Sequence, residues 1–275
     1  MLNPMGLRPQ WYLMLLLPLT LGVSGMVSAT DYQQGELVIG QVQPGTKVWL
    51  DDKPLQVSNT GLYVFGLGRN AAPEITLTTE LNNALIQTPH RVKKRTYLEQ
   101  KINGLPSKKV TPKAKSSQRI KTDNQQIRKV RQGKTPTQAV NYGHSLGPAW
   151  VTPVKGRISG VFGSRRILNG VAKNPHNGVD IAAPKGTNIL APLGGRVALV
   201  HEQMFYTGKT IMLDHGLGVT SVYAHMQHIE VSLGQVVKQG ELLGEVGQTG
   251  RATGPHLHWG VTWQNIHLDP LLLVD

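Results

Sequence analysis

Two histidines separated by one leucine, His256 and His258 in "TGPHLHWGV" (residues 253 to 261), are the first candidates for chemistry in this chain. On a β-strand, side chains repeat every second position, so both imidazoles would face one side and Leu257 and Trp259 the other. Two rings on one face fit a metal ligand beside an acid/base group, and they fit equally a solvated strand face. The pair needs partners before the alternatives separate.

Two other segments offer them. "NPHNGVDIAAP" carries His176 and Asp180 on either side of an Asn-Gly turn, with the carboxylate at the start of a strand. "TSVYAHM" carries His225, and strict alternation predicts that Val219, Ser221, Tyr223 and His225 share one face. The 275 residues include no cysteine. That excludes disulfides, thiolate nucleophiles and sulfur-ligated zinc, so any metal must be held by His, Asp or Glu. Four histidines and one aspartate suffice for a catalytic zinc centre in which three N/O ligands leave a position open and the remaining imidazoles move protons. The residues alone do not say which histidine is ligand and which is base. The zincin pattern His-Glu-x-x-His is absent, and with it a glutamate base of that type.

The elements that must position these residues read as mainly β. From Trp150 onward, "GRISGVFG", "GVDIAAP", "NILAPLGGRVALVHEQ", "GKTIMLDHGLGVTSVYAHM", "VVKQGELLGEVG" and "HLHWGVTW" are β-branched runs joined by glycine-rich turns, including Asp214-His215-Gly216. They predict an antiparallel domain over 149–275 with twisted or bulged strands. Residues 30–97 alternate apolar and polar positions between Pro-Gly, Asp-Asp and Asn-Thr-Gly turns, which predicts a small β-rich module without a catalytic grouping. Between them, 98–148 is rich in Lys, Arg, Gln, Ser, Thr and Pro and reads as a basic linker, with a helix around Ser116 to Gln132.

The formal charge of +13 is concentrated. From Arg91 to Lys134 there are fifteen lysines and arginines against Glu99 and Asp123, which accounts for the whole excess. Such a segment suits an anionic surface, whether cell wall or outer membrane. Aromatic interleaving is confined to Tyr97 and Tyr142 at its edges, which speaks against nucleic-acid stacking. At the N-terminus, Arg8, the apolar run Trp11 to Val23 broken by Pro18, and small residues ending at Ala29 read as a signal peptide over 1–29. No later stretch is apolar enough to span a bilayer, so the mature chain is expected to be periplasmic or secreted.

"HNGVD", "YAHM" and "GPHLHWGV", in that order, closely resemble the His-x-x-x-Asp, Tyr-x-His and His-x-His signatures of lysostaphin-type (LytM-like) zinc metallopeptidases. "GRISGVFGSR" upstream and "VKQGELLGEVGQTGRATGPH" between the motifs extend the likeness over about residues 150 to 270. The resemblance implies one zinc ion held by His176, Asp180 and His258, with His225 and His256 as unliganded catalytic histidines. It implies peptidoglycan as substrate and, in periplasmic members, a D,D-endopeptidase cutting between D-alanine and the diamino acid of a neighbouring stem. The alternative is a member of the same fold without activity, binding peptidoglycan or activating an amidase; such relatives lose ligands. A separate β module also suggests a restraint that covers the groove. The other histidines, His90, His144, His201, His215, His228 and His267, are expected to be structural or exposed. Arg165 and Arg166 either meet a substrate carboxylate or are loop charges.

Overall fold

A computed structural model describes residues 31–133, Leu146 and residues 149–274. The proposed signal peptide and His144 lie outside them. Among the described residues, no helix is long and apolar enough to cross a membrane.

The chain is mainly β, and the C-terminal part is built on one large antiparallel sheet. Its strands run in the order Val236–Val237, Gly195–Met204, Gly208–Gly216, Val219–Ile229, His256–Trp263, Val179–Ala182 and Arg157–Gly160. Alternation divides this sheet cleanly. Val179, Tyr223, Leu257, Trp259 and Val261 are 0% exposed and form the core face. Their neighbours Val222, Ala224, His258 and Gly260 belong to the opposite face, since Ala224 pairs with His258 and Val222 with Gly260. The sequence pattern thus supplies a dry side and a side free for chemistry.

One expected turn shifts. The Gly208–Gly216 strand continues through Asp214 and His215, and the chain reverses at Leu217 and Gly218, with φ of 49° and 79°. Positive φ at both positions matches the twist of a two-residue hairpin loop, which the glycine makes accessible.

The N-terminal β-rich region has a five-stranded sheet in the order Tyr32–Gln33, Ala84–Lys93, Glu74–Leu81, Lys47–Leu50 and Lys53–Pro54, plus a pair formed by Leu37–Gln41 and Leu62–Gly66. Its long hairpin closes at Asn82 and Asn83, φ 50° and 64°, residues that tolerate the left-handed region. This region is not held at a distance. Phe65, Val38 and Val64 belong to the same apolar cluster as Trp259, Trp263 and Leu268. Arg95 also pairs with the buried Asp269 at 2.7 Å.

Residues 98–133, read above as a basic linker with some helix, fold onto the C-terminal sheet. Glu99–Ile102 adds a parallel strand to Arg165–Leu168. The helix Ser117–Arg131 lays Ile127 and Val130 on Ala198, Leu199, Met204, Met212 and Val222. Because Val222 is on the same face as His258, this helix flanks the side of the sheet that carries the chemistry.

Candidate metal centre

Asp180 and His258 are direct cross-strand partners between Val179–Ala182 and His256–Trp263, and His256 stands opposite Ala182 on the same face. The period-two reading of the histidine pair therefore holds. His176 precedes this strand and is fixed through its backbone, its N–H donating to Ser164 O at 2.9 Å while its carbonyl accepts from Gly163 N at 2.8 Å.

Three side-chain atoms converge. His176 Nε2 is 3.0 Å from Asp180 Oδ1, His258 Nδ1 is 2.9 Å from the same oxygen, and the two nitrogens are 3.0 Å apart. The other nitrogen of His176, Nδ1, lies 3.1 Å from the Val161 carbonyl and must donate to it, which leaves Nε2 with a lone pair. Burial pulls the His176 imidazole down to about 4, so it is neutral at pH 7. Burial would raise Asp180, but the adjoining His176 and His258 more than offset it and hold the carboxyl well below the usual range. An ionised carboxylate oxygen, the lone pair of His176 Nε2 and the adjoining His258 nitrogen form a compact N/O donor set of the kind that holds a cation. The edge of a tetrahedron with zinc–ligand distances near 2.05 Å is about 3.3 Å, so the donors need to open by only about 0.3 Å. The residues fit a zinc ion.

Two further imidazoles flank the three. His225 and His256 have ring centroids 4.7 Å apart, and His225 is 6.3 Å from His258. Each turns Nδ1 to a backbone carbonyl, Thr249 O at 2.7 Å for His225 and Gly254 O at 2.8 Å for His256. Nε2 of both is thereby left facing the site, and that of His256 is 3.9 Å from Asp180 Oδ1. Burial, followed by the neighbouring His256 and His258, pulls His225 down to about 3.

His225 corrects the expected facing. Tyr223 pairs with Ile211 and Met226 with Lys209, so two residues, Ala224 and His225, stand opposite the single residue Thr210. This bulge carries His225 into the left-handed region at φ 64°, a conformation unusual for a non-glycine residue. Its side chain consequently joins His258, whereas Tyr223 stays on the core face beside Trp259. Backbone bonds to Thr207 and Thr249 brace the strained residue from both sides.

Arg166 also departs from expectation. It pairs with Asp180 Oδ2, leaving Oδ1 to the histidines, and so it acts on the site rather than on a free anion. Its approach depends on Gly160, where a Cβ would lie 2.6 Å from Asp180 Oδ2 and 2.8 Å from Arg166 Nη2. Sequence reasoning missed this bond, and only the basic side chain itself could have signalled it. Arg165 is exposed, 3.7 Å from Glu99.

The remaining described histidines do not join the three converging side chains. His215 is fully buried, with Nδ1 2.7 Å from Gly194 O and Nε2 2.8 Å from Ser221 Oγ. His201 accepts from Gln203 N, and His228 is exposed beside Glu230. His90 packs against Tyr32. His267 is within 3.4 Å of Arg131.

A β-sheet face presenting two imidazoles and a carboxylate to one point, with two more imidazoles alongside, defines a metallohydrolase type of site. Residues 174–270 match the model of peptidase family M23. An uncharacterised metalloprotease of Haemophilus influenzae is 44% identical over 85 residues, covering 31% of this chain and 18% of that protein. The peptidoglycan DD-endopeptidase ShyA of Vibrio cholerae is 41% identical over 107 residues, covering 38% of this chain and 24% of its own length. The chain thus spans about a quarter or less of these relatives. A crystal structure from Pseudomonas aeruginosa assigned to peptidase M23 superposes with a TM-score of 0.65 at 27% identity, covering 90% of this chain and 97% of that one.

Proposed function

We propose that this protein is an exported zinc metalloendopeptidase that hydrolyses peptide cross-links of peptidoglycan, acting as a D,D-endopeptidase in the periplasm. The observation that carries the proposal is the convergence of His176 Nε2, Asp180 Oδ1 and His258 Nδ1 within about 3 Å beside two proton-competent imidazoles. The M23 domain match and the DD-endopeptidase relative support the substrate class. In this reading residues 1–29 direct export, 30–97 form the N-terminal module, 98–148 connect it, and 149–275 form the peptidase domain.

His176, Asp180 and His258 hold the zinc, which when bound polarises the scissile carbonyl and activates water for attack. Arg166 fixes the carboxylate by its outer oxygen. His225 and His256, both anchored at Nδ1, take a proton from the attacking water and deliver one to the leaving amine. Protonated, either also stabilises the negative charge that develops on the carbonyl oxygen.

The rival reading, a peptidoglycan-binding or amidase-activating protein without activity, is less well supported, since all five residues are present and adjoin one another. Incubating purified cross-linked sacculi with the protein, an Asp180→Ala variant and a chelated sample separates the two. Dimeric muropeptides should convert to monomers only with the unmodified, zinc-loaded protein. Unchanged muropeptides from zinc-loaded protein would overturn the enzymatic reading.

A further inference from the structure

The helical segment that follows the N-terminal β region brings two cations to a cleft beside the catalytic histidines. Lys109, Arg119, Lys209, Glu202, Thr249 and Gly250 are among the residues lining a cavity of about 370 Å³. Its wall adjoins the metal centre, because the lining residue Thr249 accepts the Nδ1–H of His225 on its carbonyl.

The charge here is fixed in place and poorly neutralised. Lys109 donates to the Phe205 carbonyl and lies 4.1 Å from the centre of the Phe205 ring. Arg119 donates to the Gln203 carbonyl. Arg251, next to the lining residue Gly250, stacks on Tyr206 at 4.5 Å. Glu202 is the one acid in the lining and is already paired with Lys209. Among the described residues, Lys109, Arg119 and Arg251 have no carboxylate partner within 4.0 Å. Asp123, the acid nearest to them on the helix, is buried and accepts from Phe205 N at 2.7 Å. The cations also crowd one another. Burial first, then Arg119, Lys108 and Arg251, push the Lys109 ammonium below its ordinary range. Like charges gathered around an open cavity suit an anion that bridges them.

We propose that Lys109 and Arg119 form a carboxylate subsite that selects acidic peptide stems, binding a free carboxylate of the substrate near the scissile bond. The proposal rests on the peptidoglycan-hydrolase reading and gives the basic segment a local task at the cleft. An arginine fork and an ammonium from neighbouring helices would hold a carboxylate more firmly than a neutral amide.

The test compares a purified cross-linked muropeptide carrying free stem carboxylates with the same muropeptide after amidation. Substrates are offered to the zinc-loaded full protein, to Lys109→Gln/Arg119→Gln, and to Lys109→Arg/Arg119→Lys. The unmodified protein should prefer the free acid by roughly ten- to hundredfold in kcat/KM, as loss of a charged hydrogen-bonded contact implies. The neutral double variant should lose that preference through KM, and the charge-conserving variant should keep most of it. Equal losses on both substrates, or a preference that survives neutralisation, would overturn the subsite. If the protein cleaves neither substrate, calorimetric binding of the two muropeptides decides. Carboxylate-dependent binding that the neutral variant loses would sustain the subsite while the hydrolase reading fails, and indifference to amidation would refute it.

Discussion

His215 offers a test of how the fold sorts structural histidines from those of the site. It is 0% exposed, both ring nitrogens have partners, and Trp150 packs against it with centroids 4.9 Å apart. Burial pulls the imidazole from 6.5 down to about 4, opposed by the Gly194 carbonyl. The unfolded chain therefore binds a proton between those values while the folded protein does not. Stability contributed by neutral His215 is complete above about pH 6.5 and is lost as pH falls toward 4. At 1.36 kcal/mol per pH unit, the loss between pH 7.5 and pH 5 is about 2 kcal/mol from this residue alone.

The perturbation is His215→Gln, whose amide can still donate to the Gly194 carbonyl and lie within reach of Ser221 Oγ. Urea unfolding at pH 7.5 and pH 5, with zinc chelated, gives the pH increment for each protein. The titrations of His176, His225 and His267 occur in both proteins and cancel in the difference, as does any fixed cost of the substitution. The variant should lose about 2 kcal/mol less than the unmodified chain on acidification. Equal increments would refute the reasoning, since His215 would then titrate alike in the folded and unfolded states.

Zinc held at about a hundred times its Kd should stabilise the protein by about 2.7 kcal/mol, or roughly 5–10 °C in Tm for a chain of this size. Calorimetry should find no such shift in His258→Ala, and a full shift there would remove His258 from the ligand set. His225→Ala and His256→Ala should each lower kcat by roughly 10²- to 10⁴-fold while elemental analysis still finds one zinc per chain. Loss of the metal would make either residue a ligand instead. Gly160→Ala should displace the Arg166–Asp180 pair, cost about 1–3 kcal/mol and reduce zinc retention on dialysis. Retention equal to that of the unmodified protein would show that the pair tolerates the added methyl.

What was legible in the sequence was what local periodicity encodes. The spacing of His256 and His258 gave the shared face, and the antiparallel register then delivered Asp180 opposite His258. His225 defeated the same rule because one bulge residue shifts the period, and no sequence pattern marks a left-handed histidine in the way glycine marks a turn. The Arg166–Asp180 bond was hidden for a different reason, since it joins side chains from two sheets that no common period relates.

The basic segment shows where composition misleads. Its cations are mostly solvated, and that composition reads as a linker. Its docking depends on a few positions whose partners lie 80 to 100 residues away, including Asp123 on Phe205 N and Lys109 on Phe205 O. An acid inside a basic run was the available clue. Burying Asp123 is tolerable only against a specific donor, and the amide of Phe205 supplies one. Ile127 and Val130 then have a fixed face to pack against, and the same anchoring sets Lys109 and Arg119 at the edge of the catalytic cleft. One buried carboxylate thus converts a charge-rich connector into a wall of the site.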